Sequence, residues 1–466
     1  IHIHRPIRKE RMKNIVFERE LKTLINGVRS YGIEHCLERE KVALFQDSEE
    51  QKNFVIQVHK GFFMVQNNAI FMLKKILKEQ KALKSDLKQA RREHNKKRVQ
   101  EIDASLRKVK YQEMVVRKSV DSIAWQLFGY DITIMRRVYY GQELIDITDS
   151  NLESEQFYIE RYMEENPEAF VLISDLTSFI QVGDVVTFTP REGLKIGELK
   201  EGKVNAKVFQ MINDIMQNDC PNYLKCRMGE LDTKTKEQFY RDIKQMDRSF
   251  NTMSIINEGK GTDLFTGLPV VIDKNEIRVG TFTDVVKELL GECTKKGHAI
   301  SVIDGCLLIG VYEPKRFPSG AFDVWVRSLD IKMPVVDLRH GMFDPLGYPI
   351  FLHPFKNDDI LAIIQGRKVV KMTIDINVWL NTFANDGIKW RWLSEKETAR
   401  INTKMKGKTG IFSLEKRGIE LENEKGIKQY IGEGIFSRIF TGLNSPHSMK
   451  DFLVTTMDRA VEKSDT

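Results

Sequence analysis

The chain has 466 residues, 41% of them hydrophobic and 30% charged, with a formal net charge of +7. That length and apolar share call for about two to four domains with real cores, and exclude a disordered or collagen-like chain. No run of about 18 uncharged apolar residues occurs, which excludes a helical membrane span and is expected of a cytoplasmic protein.

The chain opens on Ile1-His2-Ile3-His4, no signal peptide is visible, and Met12 reads as a natural initiator. Asn14 to Ser30 reads as an amphipathic helix with Leu21, Leu24, Ile25 and Val28 on one side. A second helical region starts near Asp47 and runs into a long charged segment. There Leu73, Ile76, Leu83, Leu87 and Ala90, then Val99, Ile102, Leu106 and Val109, recur at coiled-coil-like spacing. The polar interruption Arg92-Glu93-His94-Asn95-Lys96-Lys97 is where a helical hairpin could reverse; a continuous rod is the alternative. From Lys74 to Lys118 sixteen Lys and Arg face six Asp and Glu, a local net of +10 that exceeds the excess of the whole chain. Such asymmetry predicts one basic face for a polyanion, with Lys88, Arg91, Arg92, Lys96, Lys97 and Arg98 as nucleic-acid-binding candidates. A dimerisation device is the other use of such an arm, and a homo-oligomer is expected. Ser119 to Phe128 reads as a short buried helix with Trp125 in the core, and Ile132 to Val138 and Ile145 to Ile147 as strand or loop.

The next stretch carries the chemistry. Gly183 to Phe188 and Lys195 to Lys200 read as strands, with Pro190-Arg191-Glu192-Gly193 as the turn of a hairpin. Strand alternation puts Glu198 and Lys200 on one face and Leu199 toward a core, with Asp184 in reach of that face. Two carboxylates and an ammonium are what metal-assisted phosphodiester hydrolysis requires: hard oxygen ligands for Mg²⁺ or Mn²⁺, and a cation beside the attacking water.

Asp184, thirteen intervening residues, then Glu198-Leu199-Lys200 resembles the core of the PD-(D/E)XK superfamily, the restriction-endonuclease-like nucleases. The resemblance extends from Ser154 to Gln217 and implies flanking helices. Ser154 to Asn166 supplies a preceding helix with Glu155 or Glu160 as its acid, and Val204 to Gln217 a following one, with Lys203, Lys207 and Gln210 on one face. Gln210 matches the polar residue that superfamily often carries there. The Glu-Asn-Pro ending of the first helix resembles nuclease-like domains of phage-defence proteins.

Beyond Gln217 comes a polar insert with a helix at Thr235 to Met246, then Glu258-Gly259-Lys260-Gly261-Thr262. That segment lacks the full phosphate-loop pattern and reads as a loop. Leu268 to Ile272, His298 to Ile303, Cys306 to Tyr312, Phe322 to Val326, Ile350 to Leu352 and Val369 to Ile374 read as strands, and Phe282 to Cys293 as a helix. The first of these strands is a candidate for the nuclease-like sheet. His340 and His353, amid Pro345, Gly347, Pro349 and Pro354, read as loop and packing residues, and the tail after Ser445 as polar and frayed at its end. Cys36, Cys220, Cys226, Cys293 and Cys306 lack paired spacing and read as free thiols.

The expectation is therefore a mixed α/β protein: a helical basic arm over 1–150, a restriction-endonuclease-like core over 151–275 and an α+β recognition or partner module over 276–466. The resemblance implies a Mg²⁺- or Mn²⁺-dependent nuclease acting on DNA rather than RNA, in restriction, repair or anti-phage defence. Asp184 and Glu198 would be its metal ligands, and Lys200, Gln210 and Glu155 or Glu160 would complete the site. A nucleic-acid-binding sensor or assembly protein without catalysis is the alternative.

Overall fold

A computed structural model describes residues 4–33, 48–143, 152–189, 193–199, 211, 232–262, 267, 269–272, 279–405 and 410–464. Compactness sorts the chain into two units. One comprises Ile1–Gln46, Met64–Gln126 and Asn275–Thr466, the other Asp47–Phe63 and Leu127–Lys274. Among the described residues no helix is long and apolar enough to cross a membrane.

The first α-helices among the described residues are α1 (His4–Val28), α2 (Ser48–Arg92) and α3 (Lys96–Leu127). Leu21, Leu24, Ile25 and Val28 of α1 are buried, as their spacing predicts. Between α2 and α3 the chain reverses within a few residues, so the hairpin is formed and a continuous rod is not. Leu83, Leu87 and Ala90 pack against Val99, Ile102 and Leu106 across it. His94 takes the left-handed conformation at the bend (φ 52°), and the Asn95 side chain accepts the Arg98 N–H at 3.1 Å, capping α3. Ser119 to Phe128 is not a separate short helix, because nothing breaks α3 before Leu127. Its Trp125 is buried and meets Tyr348 edge to face at 5.1 Å.

The second unit contains α4 (Ile132–Val138), α5 (Leu152–Glu165), β1 (Phe170–Ile173), β2 (Val185–Thr189), β3 (Gly193–Gly197), α6 (Thr233–Glu258), β4 (Lys260–Thr262) and β5 (Pro269–Val271). Ile132–Val138 is a helix, not a strand or loop: Asp131 accepts the N–H groups of Thr133 at 2.7 Å and Ile134 at 3.4 Å, and that cap selects the helix. The sheet order is β1-β2-β3, all antiparallel. Phe170 to Ile173 are all fully buried, and Phe170 meets the rings of His59 and Phe62 from the first turns of α2. Phe128 stacks edge to face on Phe188 of β2, 5.4 Å away. Helix α6 covers the outer edge of β3, where the outward Ile196 N–H meets Met253 Sδ at 3.2 Å. The segment expected to be a loop at Glu258 to Thr262 is instead the end of α6, with Gly259 as its left-handed cap, followed by β4. Strand β5 pairs with β4 in a separate two-stranded sheet and does not extend the β1-β2-β3 sheet.

The first unit continues with α7 (Thr283–Lys296), β6 (His298–Ile303), β7 (Leu307–Tyr312), α8 (Gly320–Ser328), β8 (Val336–Asp337), α9 (Asn357–Ile364), β9 (Val369–Ile374), α10 (Ile376–Asn381), β10 (Lys389–Trp392), α11 (Glu395–Met405), β11 (Ile419–Glu422), β12 (Lys428–Tyr430), α12 (Glu433–Phe440) and α13 (Pro446–Ser464). An antiparallel sheet of order β6-β7-β9-β8 forms its centre, with β7 buried along its whole length. Phe322 to Val326 belongs to helix α8, not to a strand. Phe322 and Val326, one turn apart, cover Leu308 and Tyr312 of β7. Ile350 to Leu352 is a single 3₁₀ turn after Pro349. Helix α13 forms the tail up to Ser464 and buries Met449, Leu453 and Met457 at i, i+4 and i+8, while the last two residues lie outside the described ones. The molecule is thus a mixed helix-and-sheet protein with small antiparallel sheets.

Candidate functional site

The two acids singled out on the hairpin meet where its strands open. Gly183 precedes Asp184 with φ +67°, and a side chain there would press on the Gly197 carbonyl oxygen and Ile196, so the left-handed turn and the close approach both require glycine. Gly197 precedes Glu198 without a left-handed φ, and a side chain there would come close to Val185. Asp184 then bonds on both sides of Glu198. Its N–H donates to the Gly197 carbonyl at 2.9 Å, and its Oδ2 accepts the Leu199 N–H at 2.6 Å. Its own carbonyl accepts the Ser174 N–H at 2.9 Å, tying the acid to the turn after β1. Both Asp184 and Glu198 are half-buried. The hydrogen bond to Leu199 orients the Asp184 carboxylate, as outer-sphere partners orient metal-ligating carboxylates.

Strand β3 ends at Gly197, one residue before Glu198. Its buried side chains are Leu194 and Ile196, so the alternation that was expected to send Leu199 into a core sends 194 and 196 there instead. Leu199 is half-buried. Lys200 and Gln210, with Lys203 and Lys207, lie outside the described residues, as do Cys36, Cys220 and Cys226.

On α5, Leu152, Glu155 and Ile159 are buried at i, i+3 and i+7, and the helix packs on β1. Glu155 is therefore the inward acid, whereas Glu160 is exposed with Glu164 and Glu165. Phe157 is 69% exposed and lies off the buried face of the helix. Among the described residues no group of three or more His, Cys, Asp or Glu is placed to hold a metal ion. The structure thus brings the backbones at Asp184 and Glu198 side by side.

Strand β1 escaped sequence reasoning altogether, although Phe170-Val171-Leu172-Ile173 ahead of Ser174-Asp175 is an apolar run bounded by turn residues. It supplies the Ser174 anchor for Asp184.

Elsewhere the titratable groups do structural work. His353 is buried between Tyr348 and Phe355; its Nε2–H donates to the Thr441 carbonyl at 2.8 Å, and burial pushes its pKa down to about 4. His340 is exposed, and Trp379 is core, its indole N–H donating to the Pro446 carbonyl at 2.9 Å. Cys293 and Cys306 are buried free thiols, pushed up to about 11 and about 12 by desolvation, which leaves little thiolate at neutral pH.

All six candidate cations of the hairpin tip, Lys88, Arg91, Arg92, Lys96, Lys97 and Arg98, are exposed. Two others counted in the basic segment are not: Arg117 and Lys118 are buried and bonded internally, Arg117 Nε to Glu113 Oε1 at 3.0 Å and Lys118 Nζ to Asp121 Oδ2 at 3.0 Å. No family model, no curated protein and no solved structure matches the chain.

Proposed function

We propose that this protein is a metal-dependent nuclease that hydrolyses phosphodiester bonds of nucleic acid, DNA in preference to RNA, with its site at the open end of the β2–β3 hairpin. The observation that carries this reading is Asp184 bonded to the chain on both sides of Glu198. Bonding Asp184 to Gly197 and Leu199 fixes the two acids at adjacent positions of the hairpin. Mg²⁺ characteristically takes one or two carboxylates and fills its remaining positions with water and substrate phosphate, so this donor pair fits Mg²⁺ or Mn²⁺. Asp184 and Glu198 would hold the ion, which when bound supplies Lewis acidity and a more acidic water. Glu155 is the helical acid of choice over Glu160, being the one turned inward. Lys200, beside the water, and Gln210 are assigned by the PD-(D/E)XK resemblance alone, which also suggests restriction, repair or anti-phage defence as the setting.

Asp184→Ala and Glu198→Ala should each lower the Mn²⁺- or Mg²⁺-dependent cleavage of duplex DNA by about 10²-fold or more, the scale of losing one preorganised charge-stabilising group. Binding of the same DNA in EDTA should stay near the wild-type level. Glu155→Gln should impair cleavage and Glu160→Gln should not. Wild-type rates in Asp184→Ala or Glu198→Ala would end the assignment.

A second reading, a nucleic-acid-binding sensor or assembly protein without catalysis, is favoured by the lack of a three-acid cluster among the described residues. It predicts no cleavage by the wild-type chain at any Mn²⁺ or Mg²⁺ concentration.

A further inference from the structure

We infer that the tip of the α2–α3 hairpin is a sequence-independent clamp for the sugar-phosphate backbone of double-stranded nucleic acid. From Lys88 to Arg98 the chain carries six cations and one acid, Glu93, a net of +5 in eleven residues. Lys78, Lys81 and Lys84 continue the exposed cations along α2. Among the described residues none of these nine side chains is held in an ion pair. From Lys78 to Arg92, fourteen residues at 1.5 Å each, the row spans about 21 Å, the length of about six base pairs.

The charges sit on a fixed support. Ala90 is buried against Ile102 and Leu106, the Asn95 N–H donates to the Ala90 carbonyl at 3.0 Å, and the Glu93 N–H donates to the Gln89 carbonyl at 3.0 Å. Little side-chain-bearing backbone has to be ordered on binding, so less of the contact energy is lost to that cost. Arg91 and Arg92 suit the last turn of α2, but the α3 end of the cluster is unfavourable for the chain by itself. Lys96, Lys97 and Arg98 occupy the first turn of α3, where the helix dipole disfavours cations and no acid is present to offset them. A bound polyanion relieves that repulsion.

What the hairpin lacks selects the kind of anion. No large hydrophobic side chain is exposed among the described residues between Phe71 and Phe157. A membrane-surface element needs exposed Trp, Phe or Leu to enter the headgroup boundary, and a single-strand binder needs aromatic platforms for unstacked bases. Tyr111 is withdrawn from such a role, its hydroxyl donating to the Ile364 carbonyl at 2.7 Å, and Trp125 is buried. His94 is the one ring at the tip. Lysines and arginines without apolar or aromatic company suit a regular phosphate backbone whose bases are stacked and hidden.

The inference stands whether or not Asp184 and Glu198 are catalytic, so it is tested by binding alone, in EDTA. The probes are a labelled duplex of arbitrary sequence, an oligo-dT of the same length, and vesicles with and without anionic lipid, titrated with the full chain. The clamp requires the duplex to bind more tightly than the oligo-dT, with affinity falling steeply between about 50 and about 200 mM salt. Arg91→Gln/Arg92→Gln/Lys96→Gln/Lys97→Gln should weaken duplex binding at least tenfold and flatten the logarithmic salt slope by about 0.9 for each phosphate contact removed. A control with the same loss of charge, Lys295→Gln/Lys315→Gln/Lys396→Gln/Lys425→Gln, should bind within about threefold of wild type, since only non-local charge is changed. Circular dichroism of both variants guards against loss of helix. Equal weakening by the two variants, an unchanged salt slope, tighter binding of oligo-dT, or capture by anionic vesicles in preference to the duplex would each overturn the proposal.

Discussion

Lys118 and Asp121 lie one turn apart on α3 with no solvent contact, their charges 3.0 Å apart. The ammonium is saturated by two further acceptors, the carbonyls of Asp344 at 2.6 Å and Pro345 at 3.1 Å. Such a group holds a loop in register, but its removal leaves the partner charge buried. Lys118→Met should therefore cost about 3–5 kcal/mol, whereas Lys118→Met/Asp121→Leu should recover most of that loss. Denaturant unfolding of the two variants checks it; equal destabilisation would show that Lys118 matters for packing and not for charge. The same residue marks a limit of sequence reading. Charge type does not reveal burial, so Arg117 and Lys118 are indistinguishable in sequence from the exposed cations at the tip. The choice between Glu155 and Glu160 was legible in principle from the phase of Leu152 and Ile159. Phe157, Tyr158 and Ile159 are consecutive apolar residues, however, and only the last faces inward.

The open end of the β2–β3 hairpin depends on Gly183, the residue before Asp184. Gly183→Ala would force a left-handed residue and set a methyl group against the Gly197 carbonyl, so it should destabilise by about 1–3 kcal/mol and also displace Asp184. Thermal unfolding and the metal-dependent cleavage assay should respond together; a stable Gly183→Ala variant with normal cleavage would show that the close approach is dispensable. Elements with long periodic patterns were readable from sequence: α1, the α2–α3 hairpin, α5, α7 and the strands β6, β7 and β9. Short ones were readable where turn residues bracket them, as at β2 and β3, and otherwise not, because a run of four or five apolar residues fits a strand or a buried helical turn equally well. Phe322 to Val326 became a helix because its two largest apolar contacts are one turn apart. Ile132 to Val138 became one because Asp131 caps it. Strand β4, set by tertiary pairing, carries almost no local signal, and β5 is legible as a strand but not as the partner of β4.

At the scale of the molecule each compact unit contains a buried histidine that is neutral when folded. His59 donates through Nδ1–H to the Glu168 carbonyl at 2.9 Å in one, His353 through Nε2–H to the Thr441 carbonyl in the other, and burial pushes both down to about 4. The unfolded chain takes up these protons near the ordinary value of about 6.5, so stability is fully present above that pH and is lost as pH falls toward about 4. Each histidine can cost up to about 3 kcal/mol over that window. The urea midpoint should drop between pH 7 and pH 5, and His353→Gln should shrink the drop; an unchanged drop would remove His353 as its source.

The ordering of the first unit along the chain has a consequence for biosynthesis. Asn357, at the start of α9, donates its side-chain N–H to the Asn26 side-chain oxygen at 2.6 Å across a separation of 331 residues, and Arg29 donates to the Phe355 carbonyl. At ribosomal speeds of about 5–20 residues per second, α1 emerges roughly 15–65 seconds before the segment that completes its surroundings. During that interval its apolar side is without its final cover, which makes the nascent segment that carries α1 a natural client for chaperones and a point at which slowed translation would favour aggregation.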